Sequence, residues 1–140
     1  MIMEGYPEFE DFQDFSGKKI RFKYVYIDAG NILSLNALEE TDYDVYRMYS
    51  SYNHESQANN LIKIREIIQR ELNTRYFSDN EYDQFHRMNF DYFKGNIMTD
   101  KEDEVCIVVD GKKMNMIDLE KVITPCQGFQ IEIRISDGST

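Results

Sequence analysis

The sequence predicts an α+β fold: an antiparallel sheet of about five strands, with one long helix and two or three short helices packed mainly on one face. Three observations favour this class. Segments 20–27 and 129–135 alternate apolar and polar residues, which is the period of a strand. Segment 58–76 carries an apolar stripe at helical spacing. Turn residues separate several short segments, and helices do not alternate one by one with strands.

The length and composition indicate one domain over residues 1–140. A chain of 140 residues with 41% hydrophobic residues is large enough to bury a core of its own. The first residues lack the apolar stretch of a signal peptide, and no apolar run approaches the roughly 20 residues that span a bilayer. We therefore expect a cytoplasmic protein. Cys106 and Cys126 form no CxxC motif, so both are expected to be reduced thiols.

The chain is predicted to begin with an arm followed by a hairpin. A phenylalanine at every third position of residues 7–15 predicts a short helix, within a possible N-terminal arm over 1–16. Residues 20–27 form a strand with one polar face. Residues 28–31 have the composition of a turn, so residues 32–38 are expected to return beside that strand.

Two helices are expected next. A short one begins at Thr41, because Asp44 follows it at the spacing of a capping box. The long helix over 58–76 is expected to pack on a sheet that contains 20–27 and 129–135. Its apolar stripe consists of Leu61, Ile64, Ile68 and Leu72.

The second half of the chain is predicted as two helices and three strands. Residues 78–93 begin with a capping-box pattern that favours a helix, which gives way to a strand from Tyr92 to Met98. A strand over 105–109 leads through the tight turn Asp110-Gly111 to a helix capped by Asn115, with Leu119, Val122 and Ile123 inward. The final strand, 129–135, shows the clearest alternation in the chain.

The last third carries a recognisable combination of motifs. Five motifs follow one another within 93–137. They are a strand with an embedded glycine at Gly95, the Asp-Gly turn, a short helix, the run Gln-Gly-Phe-Gln at 127–130 and an alternating strand. This order resembles an uncharacterised bacterial domain-of-unknown-function family, as does the Ile- and Arg-rich helix over 58–77. The family has no established activity, so the resemblance implies a fold rather than a function.

The chain departs from the family pattern at four places. Met116 stands where the family has Trp, Ile117-Asp118 where it has two Glu, Gln127 where it has Glu, and Tyr76 where it has His. These are polar or aromatic positions that an enzyme would be expected to keep. The departures imply that any chemistry the family has there is lost in this chain.

No residue pattern indicates a catalytic site, a cofactor or a metal site. His54 and His86 lack the spacing of metal ligands, and neither cysteine carries a nucleophile signature. The acidic residues of 100–104 predict a solvated turn, because the ligand order of a calcium-binding EF-hand is absent. We therefore expect a protein that is not an enzyme and needs no cofactor.

Charge and tyrosines indicate a binding surface instead. With 26 acidic and 16 basic residues the net charge is −10, which repels nucleic acid and attracts a basic protein. Tyrosines recur every third residue from 43 to 52. On a helix, side chains at this spacing shift around the axis, so some of the tyrosines would reach the surface. The alternative is that the tyrosines cover the sheet. The predicted partner-binding residues are Glu39, Glu40, Asp42, Tyr43, Asp44, Tyr46, Tyr49, Tyr52, Asp79, Glu81 and Asp83.

These observations favour a non-enzymatic, acidic protein-binding module. Immunity proteins, and phage or mobile-element inhibitors that block a basic or nucleic-acid-handling partner such as a toxin, have the same surface physics. No direct contact with nucleic acid or membrane is expected. Two alternatives stay open: a small-molecule-binding or enzymatic domain with a pocket between sheet and helix, and a structural domain that forms oligomers through the phenylalanines of 9–15.

Overall fold

The structure, a computed structural model, describes residues 5–137. Residues 1–4, part of the predicted N-terminal arm, and residues 138–140 lie outside this range. The described residues form two compact units. The first consists of residues 5–41, 48–74 and 135–137, and the second of residues 42–47 and 75–134. The expectation of a single domain over 1–140 stays a prediction.

The first unit is a four-stranded antiparallel sheet with a helix on one face. The strands lie in chain order: β1 (Phe9–Gln13), β2 (Lys19–Asp28), β3 (Leu33–Glu39) and β4 (Met48–Asn53). Helix α1 (Gln57–Leu72) packs on β3 and β4 and is capped by the Ser56 side chain. The predicted hairpin of 20–27 with 32–38, and the long helix, are confirmed.

The core of this unit lies between α1 and the inner face of the sheet. Every second residue of β2 points inward because side chains of a strand alternate between its faces. The stripe of α1 meets them, and Ile64 and Ile68 are fully buried. Burial of each such side chain stabilises the fold by roughly 1.5–3 kcal/mol. The buried set is Ile20, Phe22, Tyr24, Tyr26, Leu35, Ala37, Leu61, Ile64, Ile68 and Leu72.

A buried polar network fixes α1 on the sheet. The Asn60 side chain is fully buried and donates to the Leu33 carbonyl (3.1 Å) and to the Gln57 side chain (2.9 Å). Its oxygen accepts from the Ser51 hydroxyl at 2.9 Å. Gln57 in turn donates to the Ser34 carbonyl at 3.1 Å. Because these buried groups have partners, they do not carry the cost of unsatisfied burial.

The edge strand β1 is joined to the rest of the first unit by a charged cluster. The Glu10 carboxylate accepts from both Nε and Nη2 of Arg65, at 2.8 and 2.7 Å, and from the Tyr24 hydroxyl at 2.7 Å. Although burial raises it, these hydrogen bonds and the charge of Arg65 hold the pKa of Glu10 below its usual value. Burial, the Glu10 hydrogen bond and the Glu10 charge raise the pKa of Tyr24.

Two helices predicted in the first half do not form: residues 9–13 are a strand, and residues 41–47 have no regular structure. Residues 9–13 pair with β2, so Phe9 and Phe12 point to opposite faces of the sheet. Phe12 packs on Phe22, whereas Phe9 is exposed. The short helix expected at Thr41 is also absent, and 48–53 pairs with β3. At 9–13 the spacing of three suggested a helix, but pairing with β2 makes a strand. At Thr41 the capping box does not form, and the Asp44 carboxylate accepts instead from Lys101 and Lys113.

The second unit is built from short strands and one short helix. Strands β5 (Phe77–Ser78) and β6 (Arg87–Met88) form a two-stranded ladder. Strands β7 (Asn96–Thr99), β8 (Val105–Val109) and β9 (Lys112–Met114) form an antiparallel sheet. Helix α2 (Met116–Ile123) follows, with a 3-10 turn at Thr124–Cys126. The predicted strand at 105–109 and the helix after Asn115 are confirmed.

Helix α2 begins in a complete capping box. The Asn115 side chain accepts from the Asp118 N–H at 2.8 Å, and the Asp118 carboxylate accepts from the Asn115 N–H at 3.0 Å. Leu119 and Val122 pack toward a cluster formed by buried aromatic and apolar residues, but Ile123, also expected inward, is 42% exposed. The buried members of the cluster are Tyr76, Phe77, Phe85, Val109 and Met114.

The turn between β8 and β9 is hydrogen-bonded to the backbone of residues 76–77, near the start of the longer segment of the second unit. Asp110 and Gly111 have φ angles of 54° and 76°, as expected of the predicted two-residue hairpin turn. The two carboxylate oxygens of Asp110 accept from the backbone N–H groups of Tyr76 (3.1 Å) and Phe77 (2.9 Å). The turn residue therefore anchors a segment more than 30 positions away in sequence.

Cys106 lies in a small separate core with Val45, Val108 and Met98. Burial raises the pKa of its thiol. Both Cys106 and Cys126 are free, as predicted.

Three predictions for the second half are wrong. Residues 78–93 form no helix, because the Asn80 side chain accepts from the N–H groups of Tyr82 and Asp83, and Asp83 accepts from that of Phe85; such local bonds compete with helical ones. The strand expected from Tyr92 to Met98 starts only at Asn96. Residues 129–135 are exposed and form no strand with residues 5–137, so the predicted final strand, and its place in the sheet under α1, are wrong.

The fold class is therefore confirmed in its coarse form, mixed helix and antiparallel strand. Sheets of four, two and three strands with two α-helices replace the single sheet of about five strands. Within residues 5–137, neither helix has the length and apolarity needed to cross a bilayer.

Candidate partner-binding surface

The eleven residues predicted to bind a partner are divided between the two units. Glu39, Glu40, Tyr49 and Tyr52 belong to the first unit, and the other seven belong to the second. Neither unit alone contains the whole set. The proposal that these residues bind a partner stays a prediction. The residues differ in their burial and in the contacts they make within each unit.

The tyrosines of β4 lie on opposite faces of the first sheet. Tyr49 stands opposite Ala37 and packs on Phe22 with ring centroids 5.8 Å apart, so it covers the core. Tyr52 is three residues further on and is 37% exposed. Because side chains alternate along a strand, a spacing of three cannot form one stripe here. For Tyr49, therefore, the alternative prediction holds: its ring covers the core on one face of the sheet.

Two of the predicted acids are already paired within the second unit. Asp44 accepts from the Lys101 N–H and from Lys113 Nζ, both at 3.0 Å, and these two contacts hold the pKa of Asp44 below its usual value. Asp79 accepts from Lys112 (3.2 Å) and Arg75 (2.8 Å), and Lys112 is the main cause of its lowered pKa. These carboxylates are compensated by their own chain and contribute little net charge to a partner.

Other acids of the second unit remain available. Asp42 and Glu81 are exposed and form no salt bridge with residues 5–137. Glu81 accepts a hydrogen bond from Tyr82, which raises the pKa of that tyrosine, and Tyr82 is 89% exposed. Tyr43 is 74% exposed, while Tyr46 is half-buried and donates its N–H to the sulfur of Met98.

An aromatic cluster near residue 90 was not predicted. The rings of Phe90 and Tyr92 lie 5.6 Å apart, and both contact the buried Tyr76 at about 6 Å. Phe90 is 45% exposed and Tyr92 is 51% exposed, with the exposed Asp91 between them in sequence. The signal was the run Asn-Phe-Asp-Tyr-Phe at 89–93, whose aromatic density exceeds what a strand of an antiparallel sheet with one polar face needs.

The acidic turn between β7 and β8 is closed by one of its own carboxylates. Carboxylate oxygens of Asp100, Glu102 and Glu104 lie within 4.8 Å of one another. The Asp100 side chain accepts from the N–H groups of Glu102 and Glu104, at 2.9 and 3.0 Å, and from Lys113 at 3.3 Å. Its oxygens are thus occupied in closing the turn, as the predicted charged turn requires.

The C-terminal part of the chain matches a known family. Residues 76–140 match the family described as "Domain of unknown function (DUF7713)". This confirms the resemblance to an uncharacterised domain family, although the match leaves out nearly all of the helix over 58–77. No curated protein and no solved structure matches the chain. The matched region contains the paired Asp79, the exposed Glu81 and Tyr82, and the aromatic cluster.

Proposed function

We propose that this chain is a non-enzymatic, cytoplasmic protein-binding module that docks a basic protein. The surface we assign to this role lies in the second unit and consists of Glu81, Tyr82, Phe90, Asp91 and Tyr92. The observation that carries the proposal is the half-exposed aromatic pair Phe90–Tyr92, held on the buried Tyr76.

The chemistry of this surface favours an aromatic anchor. Large rings that are fixed by their neighbours lose little side-chain entropy on binding, which is why tyrosine and phenylalanine are enriched at interfaces. Phe90 and Tyr92 already restrict each other. A partner that covers them gains apolar burial without first ordering the rings.

The charge favours a partner that presents Arg or Lys. The chain carries a net charge of −10, and Glu81 and Asp91 form no salt bridge with residues 5–137. Carboxylates beside exposed rings suit a guanidinium, which can pair with the former and stack on the latter. Enzymes and toxins that handle nucleic acid present Arg and Lys on their surfaces. We therefore favour an immunity-type or inhibitor role for this chain.

The first test measures binding kinetics against a basic partner captured from the native host. Tyr92→Ala is expected to raise the dissociation rate by a factor equivalent to about 2 kcal/mol, because a truncated anchor loses its burial. Glu81→Gln with Asp91→Asn is expected to slow association and to flatten its dependence on salt. Ile62→Ala and Glu66→Gln, exposed residues of α1 in the first unit, are the matched controls and should change neither rate.

The same experiment separates this surface from the one predicted between residues 39 and 52. If Tyr43→Ala weakens binding and Tyr92→Ala does not, the interface lies with Asp42 and Tyr43. If the captured partner is not basic, or if none of these substitutions changes either rate, the proposed function is wrong.

A further inference from the structure

The segment 129–135 is exposed, and its sequence alternates like that of a strand although it forms none within residues 5–137. Its apolar residues Phe129, Ile131, Ile133 and Ile135 are 70–78% exposed, although they alternate with polar residues as a buried strand would. No strand of residues 5–137 pairs with it. The Phe129 N–H donates to the Cys126 carbonyl at 2.9 Å, and the residues after it are in no sheet. A segment with strand-like alternation and no partner strand is suited to pairing with another strand.

The charges of the segment select its partner. When the segment is paired antiparallel with a copy of itself about Ile133, Glu132 stands opposite Arg134 of the second copy, and Arg134 opposite Glu132. In the same register Ile131 stands opposite Ile135, and Gln130 opposite Ser136. Opposite charges and apolar residues directly across a strand pair are both stabilising.

The neighbouring registers are disfavoured. Centring the pair on Glu132 places two glutamates opposite each other, and centring it on Arg134 does the same with two arginines. A shift by one residue turns the isoleucines of one copy to the polar face of the other. Parallel pairing in register places Glu132 beside Glu132 and Arg134 beside Arg134 of the second copy. Among the registers compared, the one centred on Ile133 is the one that places opposite charges across the pair.

We propose that residues 129–135 pair with the same residues of a second copy of this chain, as an antiparallel ribbon with its two-fold axis at Ile133. The pairing is isologous, since the same surface serves both copies. This inference is independent of the proposed function, which concerns a basic partner at another surface.

The apolar face of such a ribbon needs cover, because two strands alone are marginally stable in water. Helix α2 ends a few residues earlier and leaves Met116, Ile117 and Ile123 exposed, at 50%, 64% and 42%. Each copy has one such helix. We propose that these three side chains pack on the face of the ribbon formed by Ile131, Ile133 and Ile135. Gly128, at φ 92°, lies between the helix and the strand and permits the change of direction.

The main test uses charge reversal and mixing. The interface is small, so the dimer of the unaltered chain is expected to have a dissociation constant on the order of 10 µM and to be seen by sedimentation at about 100 µM. Glu132→Arg alone and Arg134→Glu alone each place like charges opposite each other twice, and each should weaken the dimer about tenfold or more. An equimolar mixture of these two variants restores both opposite-charge pairs and should form the heterodimer. A misfolded variant would not regain assembly on mixing.

Cross-linking tests the position of the axis. In a Cys126→Ser background, Ile133→Cys places two cysteines opposite each other, within the reach of a disulfide. Ile131→Cys is the control, because the register separates residue 131 from its own copy by four positions, roughly 13 Å. Oxidation should link the first variant and leave the second monomeric.

Several results would overturn the inference. They are a monomeric unaltered chain at about 100 µM, a dimer indifferent to charge reversal, a mixture that forms no heterodimer, and equal cross-linking at 131 and 133. Protection of 129–135 from hydrogen exchange in a monomer would show instead that the segment pairs with its own chain.

Discussion

Strand β2 and segment 129–135 have the same pattern and opposite environments. Both place an aromatic or branched apolar residue at every second position. Polar residues stand between them throughout 129–135 and, in β2, as far as Lys23; Val25 and Ile27 follow on the other face. In β2 the side chains at 20, 22, 24 and 26 are almost fully buried, and both edges are paired, with β1 and β3. In 129–135 the corresponding side chains are at least 70% exposed. Alternation therefore shows that a segment can serve as one face of a sheet, and its neighbours decide whether it does.

The neighbours of β2 are close in sequence. Residues 29–32 connect it to β3, with Gly30 at φ 90°, and the Asp14 side chain closes the connection to β1 by accepting from the N–H groups of Ser16 and Lys18. Short turns of this kind fix register and reduce the entropy lost on pairing. Segment 129–135 follows a 3-10 turn instead, and no described strand returns beside it.

The largest effect should come from matched phenylalanines in the two segments. Phe22→Ala removes a fully buried ring from β2 and is expected to lower the free energy of unfolding by about 3–5 kcal/mol. Phe129→Ala removes a ring that is 78% exposed and should change it by less than about 0.5 kcal/mol. Urea unfolding at low protein concentration, where the chain is monomeric, measures both. Similar losses would mean that 129–135 is packed like β2.

A smaller effect should come from the polar network that secures α1 over the sheet. Asn60→Ala leaves the Leu33 carbonyl and the Ser51 hydroxyl without a buried partner and is expected to cost about 1–3 kcal/mol. Asn59→Ala, one position earlier on the exposed side of α1, is the matched control and should be nearly neutral. The same unfolding measurement applies. A neutral Asn60→Ala would show that apolar packing alone positions the helix.

The smallest effect concerns the charged cluster at the edge of the sheet. The folded pKa of Glu10 lies below its ordinary value of 4.5, so this carboxylate contributes stability above that pH. The contribution is lost as the pH falls through the folded pKa, because the protonated group no longer pairs with Arg65. Unfolding midpoints between pH 3 and 6 should therefore fall less steeply in Glu10→Gln than in the unaltered chain. Parallel curves would contradict this role.

Local signals predicted the elements that depend on local structure. Period and caps located β2, β3, α1 and α2, and the Asp-Gly pair located the turn after β8. A spacing of three was ambiguous, since it fits a drifting helical stripe and also the two faces of a strand. At Phe9–Phe12 and Tyr49–Tyr52, pairing with strand residues 8 to 18 positions away decided between the two.

The binding surface was harder to predict because charge compensation acts over long sequence distances. Lys113 pairs with Asp44, 69 positions away, and Lys112 pairs with Asp79, 33 positions away. A charge count along the chain gives these acids the same weight as Glu81, which has no such partner among residues 5–137. The aromatic cluster likewise depends on Tyr76, which lies 14 positions before Phe90.

The two backbone hydrogen bonds accepted by Asp110 have a kinetic consequence. The hairpin closes a two-residue loop, whereas bringing Asp110 to Tyr76 and Phe77 closes a loop of more than 30 residues, which loses more chain entropy. The β8–β9 turn therefore presents a preformed, negatively charged acceptor to the N–H groups of Tyr76 and Phe77 as they arrive. Asp110→Asn would preserve the turn, yet its single oxygen serves one of the two N–H groups. Refolding after a denaturant jump should then slow, while the hairpin itself forms at an unchanged rate.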